Sequence, residues 1–219
     1  RTLTSALAHY DQEAGDTSAP AQYRKAIRLT AKISAIVATW GRFQINGGPI
    51  APDPALGHAA NFLYMLTGQR PTTRATRAFD IALILHADHE LNASTFAGRV
   101  TAATLSDIYS AVVSAIGALK GPLHGGANAA VMRLLLEIGE DASDGQIDQV
   151  IKSKLNKKEK IPGFGHRVYR TEDPRATHLR QMSRELGEES GHPGWFNISE
   201  RIEALVKAEK NLNPNVDFY

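Results

Sequence analysis

Lys120-Gly121-Pro122-Leu123-His124-Gly125-Gly126-Ala127-Asn128 sets one imidazole between a Gly-Pro turn and a Gly-Gly pair. Directly behind it, Ala127, Val131, Leu134, Leu135 and Ile138 recur at the spacing of one helix face. Glycines on both sides of His124 remove Cβ bulk, so a ligand can approach the ring and the backbone amides together. The first turn of a helix also leaves N–H donors unpaired and carries partial positive charge, which suits a developing oxyanion. Taken alone, the stretch reads equally well as a glycine-capped turn whose histidine is merely hydrogen-bonded. Its surroundings have to decide.

Outward from this point the chain reads as helix after helix. Leu3 to Tyr10 forms a short one, and Asp11 to Pro20 a polar loop. From Ala21 a long helical pattern places Ile33, Ile36, Val37 and Trp40 on one face, and Gly47-Gly48-Pro49 ends it. Asp53-Pro54 predicts the cap and first residue of a helix with Leu56, Ala60, Leu63 and Tyr64 on its face, stopped by Gly68. Thr72 to Glu90 is helical in pattern, and so is Thr101 to Leu119, with Ser106 as a cap. The helix after His124 runs to about Gly139, and Ser143 or Asp144 starts the next. Asp173-Pro174 repeats the cap-plus-proline start, and Asn197 with Glu200 resembles a capping box. Long alternating apolar runs are missing, so the predicted fold class is all-α.

Composition narrows the function. The 219 residues allow a sizeable core in one or two domains. With Lys+Arg 25 against Asp+Glu 23 and a net charge of +2, no overall basic excess points to nucleic acid or a membrane surface. Charged residues interrupt every apolar run before it reaches bilayer length. Cys 0 removes disulfides and thiolate metal sites, and fits a reducing, cytoplasmic setting. The chain starts at Arg1 and stops abruptly at Asp217-Phe218-Tyr219, so both ends read as cut.

Several residues carry chemistry. His86-Ala87-Asp88-His89-Glu90 closes a helix, and its i, i+3 histidines read as a metal site, a helix-terminal polar network or a substrate-binding histidine. Gly163-Phe164-Gly165-His166-Arg167 puts a second histidine on a glycine-rich loop. Arg175 falls in the first turn of the Asp173-Pro174 helix, where a cation opposes the helix dipole and calls for an anionic partner. A neighbouring carboxylate or a bound one would both serve. Asn213-Pro214-Asn215-Val216-Asp217 presents a carboxylate just after a turn-forming string. Together these residues make an acid/base kit for proton abstraction beside a carbonyl followed by attack on a second carbonyl.

These same residues carry a resemblance. Leu85 to Thr95, Gly121 to Asn128, Lys160 to Arg167 with Asp173-Pro174-Arg175, and Asn213 to Asp217 occur in the order and spacing of the citrate synthase family. The chain most resembles its compact bacterial and archaeal type, which includes 2-methylcitrate synthases. The resemblance implies a multi-helical fold in which residues 1–124 are part of a large helical domain and 125–219 form a smaller helical domain that closes over the substrates. It implies that Asp217 removes a proton from the acyl-CoA carbon, His124 stabilises the enolate, and His166 polarises the ketone of oxaloacetate. His89 and Arg175 would hold oxaloacetate carboxylates. Ile161, Pro162, Gly163 and Phe164 would offer backbone to the CoA adenine, with Lys210 and Asn215 also touching CoA. Water would then cleave the thioester, so no metal or permanently bound cofactor is expected, and acetyl-CoA is a co-substrate.

The implied activity is that of a tricarboxylic acid cycle acyltransferase making citrate and CoA, in a cytoplasmic homodimer. Propionyl-CoA is the alternative acyl donor, since one methylene changes pocket fit by only about 1–3 kcal/mol. Readings from other classes are a metal-dependent hydrolase at His86, Asp88 and His89, and a helical module without activity. By the family pattern, an N-terminal section and a helical return to the large domain, with further carboxylate-binding arginines, lie outside these 219 residues. The stretch as it stands is therefore expected to be incomplete for dimerisation and turnover.

Overall fold

The computed structural model describes residues 1–88, 90–165 and 171–219. Among them lie ten helices, and the only strand-like pairing is a single antiparallel bridge between Phe164 and Pro214. The chain divides into two compact units, Arg1–His124 and Gly125–Tyr219.

The first unit holds α1 (Thr2–Tyr10), α2 (Ala19–Gln44), α3 (His58–Thr67), α4 (Thr73–Ala87), α5 (Ala93–Ala103) and α6 (Ile108–Leu119). Helix α2 packs on α3, α3 on α4, α5 on α6, and α1 on α6. The loop before α2 is fixed by polar groups. Arg28 grips Asp11 through Nε at 3.0 Å and Nη2 at 2.8 Å, and the Tyr109 hydroxyl of α6 donates to the same carboxylate. Lys25 is buried, with Nζ donating to the carbonyls of Asp16 at 2.6 Å and Ala14 at 3.3 Å.

Several local expectations change here. The stripe Ile33, Ile36, Val37 and Trp40 is not the buried face of α2; Trp40 is 65% exposed, whereas Ala21, Lys25, Leu29 and Ala38 are buried. Helix α2 comes close to α3 at Gly41, where a Cβ would lie 2.5 Å from Leu66. Asp53-Pro54 forms a turn instead of a helix start. Asn61 takes both backbone groups of Asp53, at 3.0 and 2.8 Å, and holds it outside the helix that begins at His58. Helix α4 ends at Ala87 because Asp88 is extended, and a separate α5 starts behind Asn92, whose side chain accepts from the Thr95 amide at 2.9 Å. Asp107, not Ser106, caps α6, accepting from Ser110 N at 2.9 Å.

The second unit holds α7 (Ala127–Ile138), α8 (Asp144–Asn156), α9 (Pro174–Ser190) and α10 (Gly194–Lys210). Its core joins Val131, Leu134 and Leu135 to Ile147, Ile151, Ile161, Ile198, Ile202, Val206 and Phe218. The Ser143 and Gln146 side chains form a reciprocal capping box at α8. The box expected at Asn197 and Glu200 is absent: α10 has already begun at Gly194, Asn197 N donates to Pro193 O at 3.1 Å, and Glu200 pairs with Arg184.

Candidate active site

The first unit contributes His124. Its ring is anchored by Ser94, which lies in the first turn of α5. Ser94 N donates to His124 Nε2 at 3.3 Å, and Ser94 Oγ lies 2.9 Å from the same nitrogen. A backbone amide can only donate, so Nε2 carries the lone pair and the ring proton sits on Nδ1. Ser94 Oγ also stands 2.8 Å from Asn92 Oδ1, the oxygen that caps α5, so its single hydrogen is divided between that oxygen and His124 Nε2. The Asn92–Ser94 pair was not singled out in the sequence. Its signal is the cap spacing, in which an Asn with an amide three residues on marks a helix start and places the intervening residue beside it. The turn carrying His124 is closed by His124 N donating to Gly121 O at 2.9 Å, and α7 begins behind Gly126 without a side-chain cap.

His86 Nδ1 pairs with the Ala82 carbonyl at 2.7 Å, one turn back on its own helix. Among the described residues no group of three or more His, Asp or Glu side chains converges as metal ligands would. His89 and His166, expected as substrate-binding and ketone-polarising groups, lie outside the described residues.

The second unit brings Arg175, Asn215 and Asp217 together around the loop from Ile161 to Gly165. Asn215 N donates to Gly163 O at 2.8 Å, Asn215 Nδ2 to Gly165 O at 2.8 Å, and Gly165 N to Asn213 O at 2.9 Å. Asn215 Oδ1 in turn accepts from Asp217 N at 3.0 Å, so the side chain expected at CoA is engaged inside the unit. Ile161 and Phe218 are both buried in the core, and Phe164 meets Phe218 with ring centroids 4.5 Å apart. Phe218 thus pins the half-buried Asp217 from one side and Val216 pins it from the other. Lys210 is the exposed last residue of α10, followed by Asn211 in the left-handed region.

Arg175 lies in the first turn of α9, and its anionic partner is Asp173. Nε donates to Oδ1 at 3.0 Å and Nη2 to Oδ2 at 2.8 Å, a bidentate pair that also caps the helix. Burial pushes the Asp173 carboxyl up, but the Arg175 guanidinium, with amide donors from Arg175 and Val216, outweighs it and holds the group below the usual carboxylate range. Asp173 is therefore ionised, and the cation that opposed the helix dipole is balanced within its own turn.

Comparison with known proteins gives this arrangement a family. The chain is 54% identical over its whole length to citrate synthase 2 of Bacillus subtilis (strain 168), spanning 58% of that protein. It is 44% identical to the citrate/2-methylcitrate synthase of the same organism, again over all of this chain and 58% of the relative. A solved ternary complex of citrate synthase from the thermophilic archaeon Thermoplasma acidophilum, with carboxymethyl coenzyme A and oxaloacetate, superposes with a TM-score of 0.86 at 32% identity, covering 100% of this chain and 58% of that one. The chain thus spans little more than half the length of the relatives it matches. The citrate synthase C-terminal domain family matches residues 1–219 without interruption, and the chain belongs to the citrate synthase family.

Proposed function

We propose that the protein carrying this chain condenses an acyl-CoA with oxaloacetate and water, giving citrate and CoA when the donor is acetyl-CoA. The observation that supports this most directly is the lacing of the Asp217 turn to the helix start that bears Arg175, through Asp173 and Val216. A carboxylate and a cation held in one rigid frame suit a base acting beside an anionic substrate. In the complex from Thermoplasma acidophilum, a CoA analogue and oxaloacetate are the bound molecules.

On this reading Asp217 accepts a proton from the carbon next to the thioester carbonyl. A thioester α-proton is too weak an acid for an unaided carboxylate at neutral pH, so the enolate must be stabilised as it forms. The Nδ1–H of His124 supplies that hydrogen bond. The enolate carbon then attacks the ketone carbon of oxaloacetate, which His166 polarises, forming the C–C bond and an alkoxide that His166 stabilises. Water adds to the thioester carbonyl, the C–S bond breaks, and CoA leaves as the thiol. His89 and Arg175 hold substrate carboxylates, while the backbone from Ile161 to Phe164, with Lys210 and Asn215, faces CoA. Residues 1–124 belong to the large domain and 125–219 to the small one, whose closure excludes water.

Propionyl-CoA remains the alternative donor, supported by the relative named for both citrate and 2-methylcitrate. We further read the enzyme as a cytoplasmic homodimer serving the tricarboxylic acid cycle. Cys 0 fits that compartment, and no described helix is long and apolar enough to cross a membrane. Phe96, Val100 and Leu119 expose apolar surface on the α5–α6 pair, which suits a subunit contact.

The test is CoA release from acetyl-CoA and from propionyl-CoA with oxaloacetate, using the full chain. Oxaloacetate-dependent release is expected, with Asp217→Asn lowering kcat by about 100- to 10,000-fold. An Asp217→Asn protein with near-native turnover refutes the assignment of the base.

A further inference from the structure

Asp173 is the only carboxylate among the buried residues described, at 1% exposure. A helix cap needs one acceptor, which Ser, Thr or Asn provides as well as Asp. Asp173 instead makes four bonds. Oδ1 accepts from Arg175 N and Nε, both at 3.0 Å; Oδ2 accepts from Arg175 Nη2 at 2.8 Å and from Val216 N at 3.2 Å. One charged group therefore grips the Arg175 guanidinium and the backbone N–H of Val216, the residue before Asp217. No neutral cap residue offers two oxygens with four acceptor positions to these donors.

We propose that Asp173 is a positioning residue that fixes, as one unit, the arginine recognising the keto-acid carboxylate and the backbone that aims the catalytic base. The inference rests on the acyl-CoA condensation reading given above, because it assigns Asp173 its purpose through Arg175 and Asp217. It has a consequence opposite to simple electrostatics. Asp173 is a negative charge beside Arg175, the residue that meets a dianionic substrate on this reading. Were charge its main influence, removing it would tighten oxaloacetate binding. If placement of Arg175 dominates, removing it weakens binding, and turnover falls as well because the Val216–Asp217 turn loosens.

The experiment uses the full chain and four variants: Asp173→Asn, Asp173→Ser, Arg175→Gln and the double Asp173→Asn/Arg175→Gln. Asn and Ser both keep a cap acceptor, so both Asp173 variants retain the helix start. The expected result is a KM for oxaloacetate raised tenfold or more in the Asp173 variants, together with a lowered kcat. The double variant should have a KM no worse than Arg175→Gln alone but a lower kcat, the non-additivity of residues acting as one unit. A purely structural role would reduce the active fraction and leave KM unmoved. An unchanged or lowered KM, or additive KM losses in the double variant, overturns the proposal. Amide hydrogen exchange at Val216 gives a readout independent of turnover, with Asp148→Asn, which breaks the Arg201 pair elsewhere in the unit, as the control. Exchange at Val216 should quicken in Asp173→Asn and not in the control; equal exchange in both overturns the proposal. If the unsubstituted protein releases no CoA with oxaloacetate, the parent reading fails, while the exchange data still decide whether Asp173 holds the turn.

Discussion

A Cβ placed on Gly163 would stand 2.8 Å from Phe218 Cδ2 and 2.8 Å from Val131 Cγ2, and the glycine itself sits at φ +80°. The loop of the candidate CoA site and the segment bearing Asp217 therefore meet at a point where only glycine fits. Left-handed backbone on a side-chain-bearing residue and forced overpacking each cost about 1–3 kcal/mol. Gly163→Ala should lower the stability of the second unit by about 2–6 kcal/mol in denaturant titration. Gly117→Ala, in helix α6 with open space around the new methyl, should instead gain about 0.5–1 kcal/mol. If both substitutions shift the midpoint equally, the steric account fails.

Phe218 itself is 2% exposed in the core beside Ile161 and Val206. Phe218→Ala should cost about 3–5 kcal/mol, the range for emptying a buried aromatic site. Because Asp217 is adjacent, turnover should fall even at temperatures where the protein stays folded. A variant that keeps full kcat while losing stability would show that the base does not depend on this anchor.

Fold class and the main motifs were legible because helical periodicity and cap chemistry are local. Asp173-Pro174, Ser143 with Gln146, and Gly139 after the Val131 stripe all end or start helices as their residue types dictate. What escaped was decided by distant partners. Asn61 takes Asp53 out of a helix, and Leu66 stands where a side chain at Gly41 would be. Trp40 belongs to a real apolar stripe, yet nothing in the spacing says whether this length of chain covers it. At the site, Arg175 announced its need for an anion by opposing the helix dipole, and that anion is the cap residue two positions earlier. The Ser94–His124 bond joins residues thirty apart and needed the fold to be seen.

Asp11 links stability to pH at the acid end. The Tyr109 hydroxyl, against the opposing effect of burial and with help from the Glu13 amide and Arg28, holds its carboxyl at about 2 instead of 3.8. A depressed folded value means the stabilisation is complete above about pH 4 and is lost as pH falls from there to about 2. Tyr109 is pushed up from 10.0 to about 12, by burial first and then by Asp11, so it favours the folded state below pH 10 and loses that contribution between pH 10 and 12. Tyr109→Phe should flatten the thermal-stability profile in both windows. An unchanged profile would mean that this pair does not couple to folding.

Lys25 tests whether a buried cation is structural. Its Nζ satisfies the carbonyls of Ala14 and Asp16, so Lys25→Met keeps most of the volume but leaves those acceptors unpaired. The expected loss is about 1–3 kcal/mol, as for other buried groups stripped of a partner. Lys32→Met, at an exposed position of the same helix, should fall within about 0.5 kcal/mol of the parent. Equal effects at the two positions would remove the carbonyl bonds from the account.

Ser94→Ala separates the orientation of His124 from its presence. The substitution removes the hydroxyl 2.9 Å from Nε2 but keeps the Ser94 backbone donor at 3.3 Å, so the Nδ1–H tautomer survives while the ring loses one of two restraints. A single hydrogen bond contributes about 0.5–1.5 kcal/mol. That predicts a kcat reduced by about 2- to 13-fold, with KM for oxaloacetate little changed. His124→Ala removes the proposed enolate donor altogether and should cost about 100-fold or more, in line with loss of an oxyanion-stabilising group. Steady-state kinetics on the full chain measures both. Should Ser94→Ala cost as much as His124→Ala, the serine would have to supply the proton itself, and the assignment of Nδ1–H as the donor to the enolate would be wrong.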